Sequence, residues 1–217
     1  MEIILLILAY IIGSIPTGLW IGKLFFNINL REHGSGNIGT TNAMRILGKK
    51  AGWTVWFIDF FKGTLAACLP LLFHVEGNLP RVLFGLAAVL GHVFPVFAGF
   101  KGGKAVATTC GMLIGINPLF GLSVLLTFLV FLYLTSMVSF AALATALLGM
   151  VSTLLFPAYH IFFSSYDWIF IGICWLAAIM IFFRHKENIG RILKKEENTT
   201  GFGLNLLQQG SRKQNND

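Results

Sequence analysis

The chain has 217 residues, of which 56% are hydrophobic and only 12% charged, with a mean hydropathy of +0.77 and a formal net charge of +7. The charged share is about half that of an ordinary soluble domain, which excludes a water-soluble monomer and makes the bilayer the natural solvent. The positive charge does not indicate a nucleic-acid partner, because no aromatic-interleaved basic fold accompanies it.

The first uncharged run covers residues 3–22 and is ended by Lys23. That matches the roughly 20 apolar residues of a spanning helix. Its only early charge is Glu2. It is long for a signal peptide and shows no small-residue cleavage site, so a retained helix is expected. Residues 51–99 have room for two crossings, with the turn near 74–80. Residues 105–166 contain no Asp, Glu, Lys or Arg. Helix-ending Pro and Gly clusters at 115–118 and 157–167, and a polar break at 135–139, divide 105–183 into four crossings, the first of them short. Lys and Arg gather at 23–50, 101–104 and 184–213, which hold 5, 2 and 7 of the 16 basic residues. Positive loops stay in the cytoplasm. The expectation is an all-α, polytopic membrane helix bundle of about seven transmembrane helices, with the N-terminus outside and the C-terminus cytoplasmic. The stretch 105–116 is shorter than a usual span and would also suit a half-buried helix, which leaves five crossings open.

Residues 1–197 read as a single membrane-embedded domain, and 198–217, rich in Gln, Asn and Gly, as a disordered polar tail without chemistry. Cys68, Cys110 and Cys174 lie singly in apolar runs with no CxxC pair, so they read as packing residues.

Three polar segments collect the unusual residues. The first is Gly34-Ser35-Gly36-Asn37-Ile38-Gly39-Thr40-Thr41-Asn42-Ala43-Met44-Arg45. Glycines let backbone N–H groups close round an anion, and an arginine adds a fork suited to phosphate. A plain flexible loop explains the glycines but not the hydroxyls, amides and Arg45 in so short a stretch. The second runs from Gly91 and His92 to Lys101-Gly102-Gly103-Lys104. Two ammonium groups around a flexible backbone suit a phosphate, whereas a positive-inside anchor explains the lysines alone. His92, near a helix end, suits a structural role as well as a binding one. The third holds His185, Asn188 and Arg191, at i, i+3 and i+6, on one face of a helical extension. Histidine moves protons near neutral pH and asparagine orients oxygens. The competing reading is a basic helix on anionic lipid heads. Asp59 and Lys62 sit i, i+3 inside an apolar helix and are read as a structural pair that neutralises itself.

These segments resemble the bacterial acyl-phosphate-dependent glycerol-3-phosphate acyltransferases, the PlsY family. The first is similar to that family's Ser-Gly-Asn-x-Gly-Ala-Thr-Asn motif, at Ser35, Gly36, Asn37, Gly39, Thr41 and Asn42, with Thr40 in place of alanine and Arg45 following. Gly13 to Pro16 and Asp59-x-x-Lys62-Gly63 are also family-like. The second is similar to the family's Gly-His-x-x-Pro-x-Phe…Lys-Gly-Gly-Lys run, with Ala105 where glycine is common. The third resembles His-x-x-Asn-Ile-x-Arg, at His185, Asn188, Ile189 and Arg191; in the Gly-x-Glu that usually follows, Lys195 replaces the glycine and Glu197 keeps the acid. Ser139 aligns with a family serine.

The resemblance implies seven transmembrane helices and a cytoplasm-facing site in the bacterial inner membrane. It implies acyl transfer from acyl phosphate to the 1-hydroxyl of sn-glycerol 3-phosphate, the first acylation of phospholipid synthesis. The implied products are lysophosphatidate and inorganic phosphate. The partners are then these two substrates and membrane lipids; no cofactor and no metal are implied. On that reading Ser35, Gly36, Asn37, Gly39, Thr41, Asn42, Arg45, His92, Lys101, Gly102, Gly103 and Arg191 bind substrate, and Lys104, Ser139, His185 and Asn188 are catalytic. His185 and Asn188 would orient the attacking hydroxyl or stabilise the oxyanion, with the proton going to His185 or to a substrate phosphate. Transfer is expected to be direct, without an acyl-enzyme. The three segments are expected to converge at the inner leaflet. The alternative is a transporter of a phosphorylated or organic anion, whose ionisable residues should lie at broken helices near the midplane.

Overall fold

The computed structural model describes residues 1–210. Among them every regular element is helical. The α-helices are α1 (Glu2–Gly13), α2 (Thr17–Phe26), α3 (Thr40–Leu47), α4 (Lys49–Leu72), α5 (Arg81–Val93), α6 (Val106–Ile116), α7 (Pro118–Thr135), α8 (Val138–Ala158), α9 (Trp168–Arg184) and α10 (Lys186–Leu193). Four are long and apolar enough to cross a membrane: α4, α5 with the turn that continues it to Ala98, α7 and α8. The number rises to six if the bent pairs α1–α2 (47°) and α9–α10 (59°) each make one span. The short apolar α6 is the stretch the sequence marked as too brief. Large side chains such as Phe57, Phe61, Leu126 and Ile179 stand exposed along these helices, as they do where lipid replaces water.

The described residues fall into two compact units, one from Met1 to Gly121 and one from Leu122 onward. In the first, α1, α4 and α5 share a core of Leu5, Ala9, Ala66, Leu69, Phe84 and Ala88. A second core of Leu30, Ala43, Leu47, Ala51 and Val55 seats the short α3 against α4. Helices α4 and α6 cross closely, with Gly63 against the Thr108 carbonyl and Gly111 against that of Phe60. Small residues of this kind let membrane helices approach where no hydrophobic effect drives them together. Arg81, outside the basic clusters, donates from Nε to the Ala67 carbonyl (3.2 Å) and from Nη2 to the Gly115 carbonyl. Its charge thus meets carbonyls near the C-terminal ends of α4 and α6, where the helix dipole favours a cation.

In the second unit α8 packs on α9, and the Trp175 indole N–H reaches the Thr153 hydroxyl (3.2 Å) and the Met150 carbonyl (3.3 Å). Polarity alone made disorder the expectation for 198–217. Residues 198–210 instead run back along the end of α7. Backbone N–H groups of Leu204, Leu206 and Thr200 donate to the carbonyls of Tyr133 (2.7 Å), Leu134 (3.0 Å) and Ser136 (2.7 Å). A helix end leaves such carbonyls open, and a polar strap with few apolar demands can fill them. The rest of the expected tail, 211–217, lies outside the described residues.

Candidate active site

In the first unit the glycine-rich loop is shaped from within by Asn42. This side chain is 2% exposed. Its amide nitrogen donates to the carbonyls of Leu30 (3.2 Å), His33 (3.0 Å) and Asn37 (2.9 Å), and its oxygen accepts the Ser35 N–H (3.0 Å). The Asn37 oxygen accepts the Gly39 N–H at 2.8 Å, a local turn that delivers the chain into α3. Both amides were expected at the ligand. The structure commits Asn42 to the loop's own backbone, because a loop without sheet or helix bonds needs a side chain to satisfy its carbonyls. Ser35, Thr41 and Arg45 stand exposed, while Gly36 and Gly39 are half-buried.

The second loop folds back on the end of α5. The Gly102 and Gly103 N–H groups donate to the carbonyls of Val93 and His92, both at 3.1 Å. Gly103 packs against the imidazole of His92, and any side chain there would collide with Nε2. Lys101 is exposed and Lys104 half-buried at the two ends of this glycine pair. Ala105 follows at φ +62°, a left-handed conformation costly to a residue with a Cβ, and then α6 begins. Arg31 ties the two loops together: Nη2 donates to the Lys101 carbonyl (2.9 Å) and to that of Ala98. Nothing in the sequence distinguished Arg31 from its basic neighbours.

Behind this loop lies a buried polar cluster that the sequence showed only in part. Asp59 Oδ1 meets Lys62 Nζ at 2.7 Å, accepts from Thr17 Oγ1 at 2.8 Å and lies 3.7 Å from His92 Nδ1. Lys62 also donates to the Ile15 carbonyl (3.1 Å), at the break between α1 and α2. A buried ion pair survives only with such additional partners. The expected pair therefore pins the α1–α2 bend, and its carboxylate backs the ring of His92.

In the second unit His185 is 3% exposed, Asn188 7% and Ser139 5%. His185 Nδ1 lies 2.8 Å from the Ile181 carbonyl. A carbonyl can only accept, so Nδ1 bears the proton and Nε2 is the basic nitrogen of the neutral ring. Asn188 Nδ2 donates to Glu197 Oε1, and Arg191 Nε to Glu197 Oε2, each at 2.8 Å. One buried carboxylate thus sets the orientation of the Asn188 amide and draws Arg191 to its other oxygen. The sequence supplied Glu197 only as the surviving acid of a motif. The preceding Lys195 sits at φ +59°, which gives the glycine common at that place its physical reason. The Ser139 hydroxyl, at the start of α8, is buried with no hydrogen-bond partner among the described residues. A polar atom left that way in an apolar setting is costly, and such atoms mark places where a ligand group can enter.

Comparison with known proteins sets this geometry in context. The family model for glycerol-3-phosphate acyltransferase matches residues 3–195. Glycerol-3-phosphate acyltransferase from Streptococcus pneumoniae (strain CGSP14) is 55% identical over 211 residues, 97% of this chain and 99% of the relative. The crystal structure of PlsY, an integral membrane glycerol 3-phosphate acyltransferase, in its glycerol 3-phosphate form, superposes with a TM-score of 0.81 at 37% identity, covering 92% of this chain and 95% of that one. Its lysophosphatidic acid form gives 0.78 at 36% over the same shares.

Proposed function

The chain belongs to the glycerol-3-phosphate acyltransferase family, and from that membership we propose that it moves a fatty acyl group from acyl phosphate to the 1-hydroxyl of sn-glycerol 3-phosphate. The observation that carries this reading is the likeness to the pneumococcal enzyme across nearly the whole of both chains. In the reaction the hydroxyl oxygen attacks the acyl carbon, and the bond from that carbon to the phosphate oxygen breaks. The hydroxyl proton leaves with inorganic phosphate, directly or by way of His185. Acyl phosphate is already activated, so no serine or cysteine nucleophile is required.

Two phosphates must be held close together. Unit charges ~4 Å apart near a protein surface repel by about 4 kcal/mol. We assign that task to the first unit: the exposed Ser35, Thr41 and Arg45 of the glycine-rich loop, and Lys101 and Lys104 beside the glycine pair. To the second unit we assign the hydroxyl and the reacting carbonyl. His185 Nε2 accepts or orients the hydroxyl proton, the oriented amide of Asn188 positions an oxygen, and Ser139 contributes a hydroxyl donor. The acyl tail stays in lipid, which is where the exposed apolar helix faces support it.

We further propose that residues 1–197 act as one catalytic domain with seven crossings: α1–α2, α4, α5, α6, α7, α8 and α9–α10. The N-terminus is then outside and the basic segments on the cytoplasmic side of the bacterial inner membrane. The charge clusters and the two bent pairs support this arrangement.

The test is direct. Purified protein in lipid, given acyl phosphate and glycerol 3-phosphate, releases phosphate and forms lysophosphatidate in equal amounts. Release that is indifferent to glycerol 3-phosphate, or none at all, overturns the assignment. Labelling Ser35→Cys and Lys186→Cys from each side of intact cells tests the topology, and reaction from the outer side at either position contradicts it.

A further inference from the structure

The strap at 198–210 reaches the residues of the third polar segment through a buried side chain, Gln209, beside a backbone bond from the Gly210 N–H to the Lys195 carbonyl. Gln209 is 4% exposed, an unusual burial for glutamine in a Gln- and Asn-rich stretch. Its Oε1 accepts the backbone N–H of Glu197 at 3.2 Å, and its Nε2 donates to the Ile192 carbonyl, in the last turn of α10, at 3.1 Å. Asn205 locks Gln209 in place by a reciprocal pair: Gln209 N–H to Asn205 Oδ1 and Asn205 Nδ2 to the Gln209 carbonyl, both at 3.0 Å. Glu197 in turn holds Asn188 and Arg191. The same strap grips the α7–α8 turn three residues before Ser139. The Thr200 hydroxyl and N–H both donate to the Ser136 carbonyl, and the Asn205 N–H donates to the Ser136 hydroxyl (3.1 Å). Ser136 itself is at φ +58°, a conformation that its surroundings must hold.

We propose that residues 197–210 form a clasp that positions Asn188, with Gln209 its key residue, so that a stretch outside the family-matched 3–195 supports the catalytic domain from without. The clasp rests on the reading of Asn188 as a group that serves acyl transfer. Gln209 touches no substrate. It fixes the backbone of Glu197, whose carboxylate fixes the amide of Asn188. Polar side chains held this way lose their orientation when the supporting shell is removed. The clasp also gives the polarity of this stretch a reason: Gln209 holds α10 and Thr200 and Asn205 hold the α7–α8 turn.

The experiment compares Gln209→Ala and Gly203→Ala with the full chain in lipid. Gly203 lies at φ +106°, and a Cβ added there would collide with the Tyr133 carbonyl, so a methyl group lifts the strap without touching Glu197. Loss of Asn188 orientation acts on the transition state more than on binding. The expected result is a fall in kcat of about tenfold for Gln209→Ala, with KM for glycerol 3-phosphate within about twofold. Gly203→Ala should move kcat in the same direction, by less. Placed on an Asn188→Ala background, Gln209→Ala should cause little further loss, because the two act as one unit. Unchanged kcat in both strap variants overturns the clasp. So does an undiminished, additive loss on the Asn188→Ala background, or a rise in KM alone. Where Gln209→Ala fails to fold, Gln209→Glu replaces it: it keeps the acceptor for the Glu197 N–H but loses the donor to the Ile192 carbonyl, its kcat should fall below that of the unaltered chain, and an unchanged kcat overturns the clasp. Wild-type turnover by Asn188→Ala alone would instead sink the role given to Asn188, a separate outcome from failure of the clasp.

Discussion

The glycine-rich loops of the first unit and the His185–Asn188 segment of the second use polar residues in opposite ways. In the loops, side chains such as Asn42 and Asn37 turn inward to build a backbone shape, and the charges of Arg45 and Lys101 stand in solvent. In the second unit the side chains to which we assign the chemistry are themselves buried, and two of them are oriented by a neighbour: His185 by the Ile181 carbonyl and Asn188 by Glu197. The first arrangement suits an anion that can be met from several directions. The second suits a single attack geometry, where small misplacement is costly. It should therefore be the less tolerant of the two.

The sharpest way to break that contrast is Glu197→Ala. It removes two charge-assisted hydrogen bonds at once, one of them to the Asn188 amide. Activity should fall about a hundredfold or more, as two tenfold steps in rate. Steady-state turnover in lipid at saturating glycerol 3-phosphate measures it. A loss no larger than that caused by Arg45→Lys would erase the distinction between the units.

Asp59→Asn comes next, and its effect falls on stability first. It leaves Lys62 buried without its carboxylate, which costs roughly 3–5 kcal/mol. A lowered unfolding midpoint in detergent is the readout. The double variant Asp59→Leu/Lys62→Leu should recover much of that stability, since a buried pair replaced whole by apolar groups is close to neutral. If stability returns and activity does not, the carboxylate behind His92 serves the loop beyond its structural part. Asn42→Ala is smaller: the loop carbonyls it served lose their partner at about 1–3 kcal/mol. Its KM for glycerol 3-phosphate should rise more than its kcat falls. The reverse split would place Asn42 with the residues of the second unit.

Much of this molecule was legible in its sequence because lipid leaves a plain record. Apolar runs, their Pro and Gly breaks and the three basic clusters gave the all-helical, multi-span architecture, and the motifs singled out Lys101, Lys104, His185 and Asn188 as the candidates to which we assign the chemistry. The shortness of 105–116 likewise foretold the brief α6. What stayed hidden was partnership across the chain. Asp59 is 33 residues from His92, and Arg31 is 70 from Lys101; no local period records such pairs. The strap was hidden for a different reason. A polar stretch looks disordered unless one knows that the carbonyls at the end of α7 stand open to receive it.

The finest test concerns two places where this chain lacks a glycine common in its family. Ala105 and Lys195 both adopt left-handed backbone, at φ +62° and +59°, one beside each region compared above. A Cβ in that conformation is strained, whereas glycine is not. Glycine also loses more freedom on folding, which offsets part of the gain. Ala105→Gly and Lys195→Gly should each stabilise the fold by about 0.5–1 kcal/mol, read as a small rise in unfolding midpoint. Their effects on rate should differ. Ala105 adjoins a loop to which we assign anion binding through charged side chains, so turnover there should hardly change. Lys195 lies two residues before Glu197, and a freer backbone at that point loosens the carboxylate that orients Asn188. Lys195→Gly should therefore gain stability and lose a little turnover. If Ala105→Gly shows the greater loss in rate, the intolerance belongs to the glycine-rich loops and not to the buried side chains.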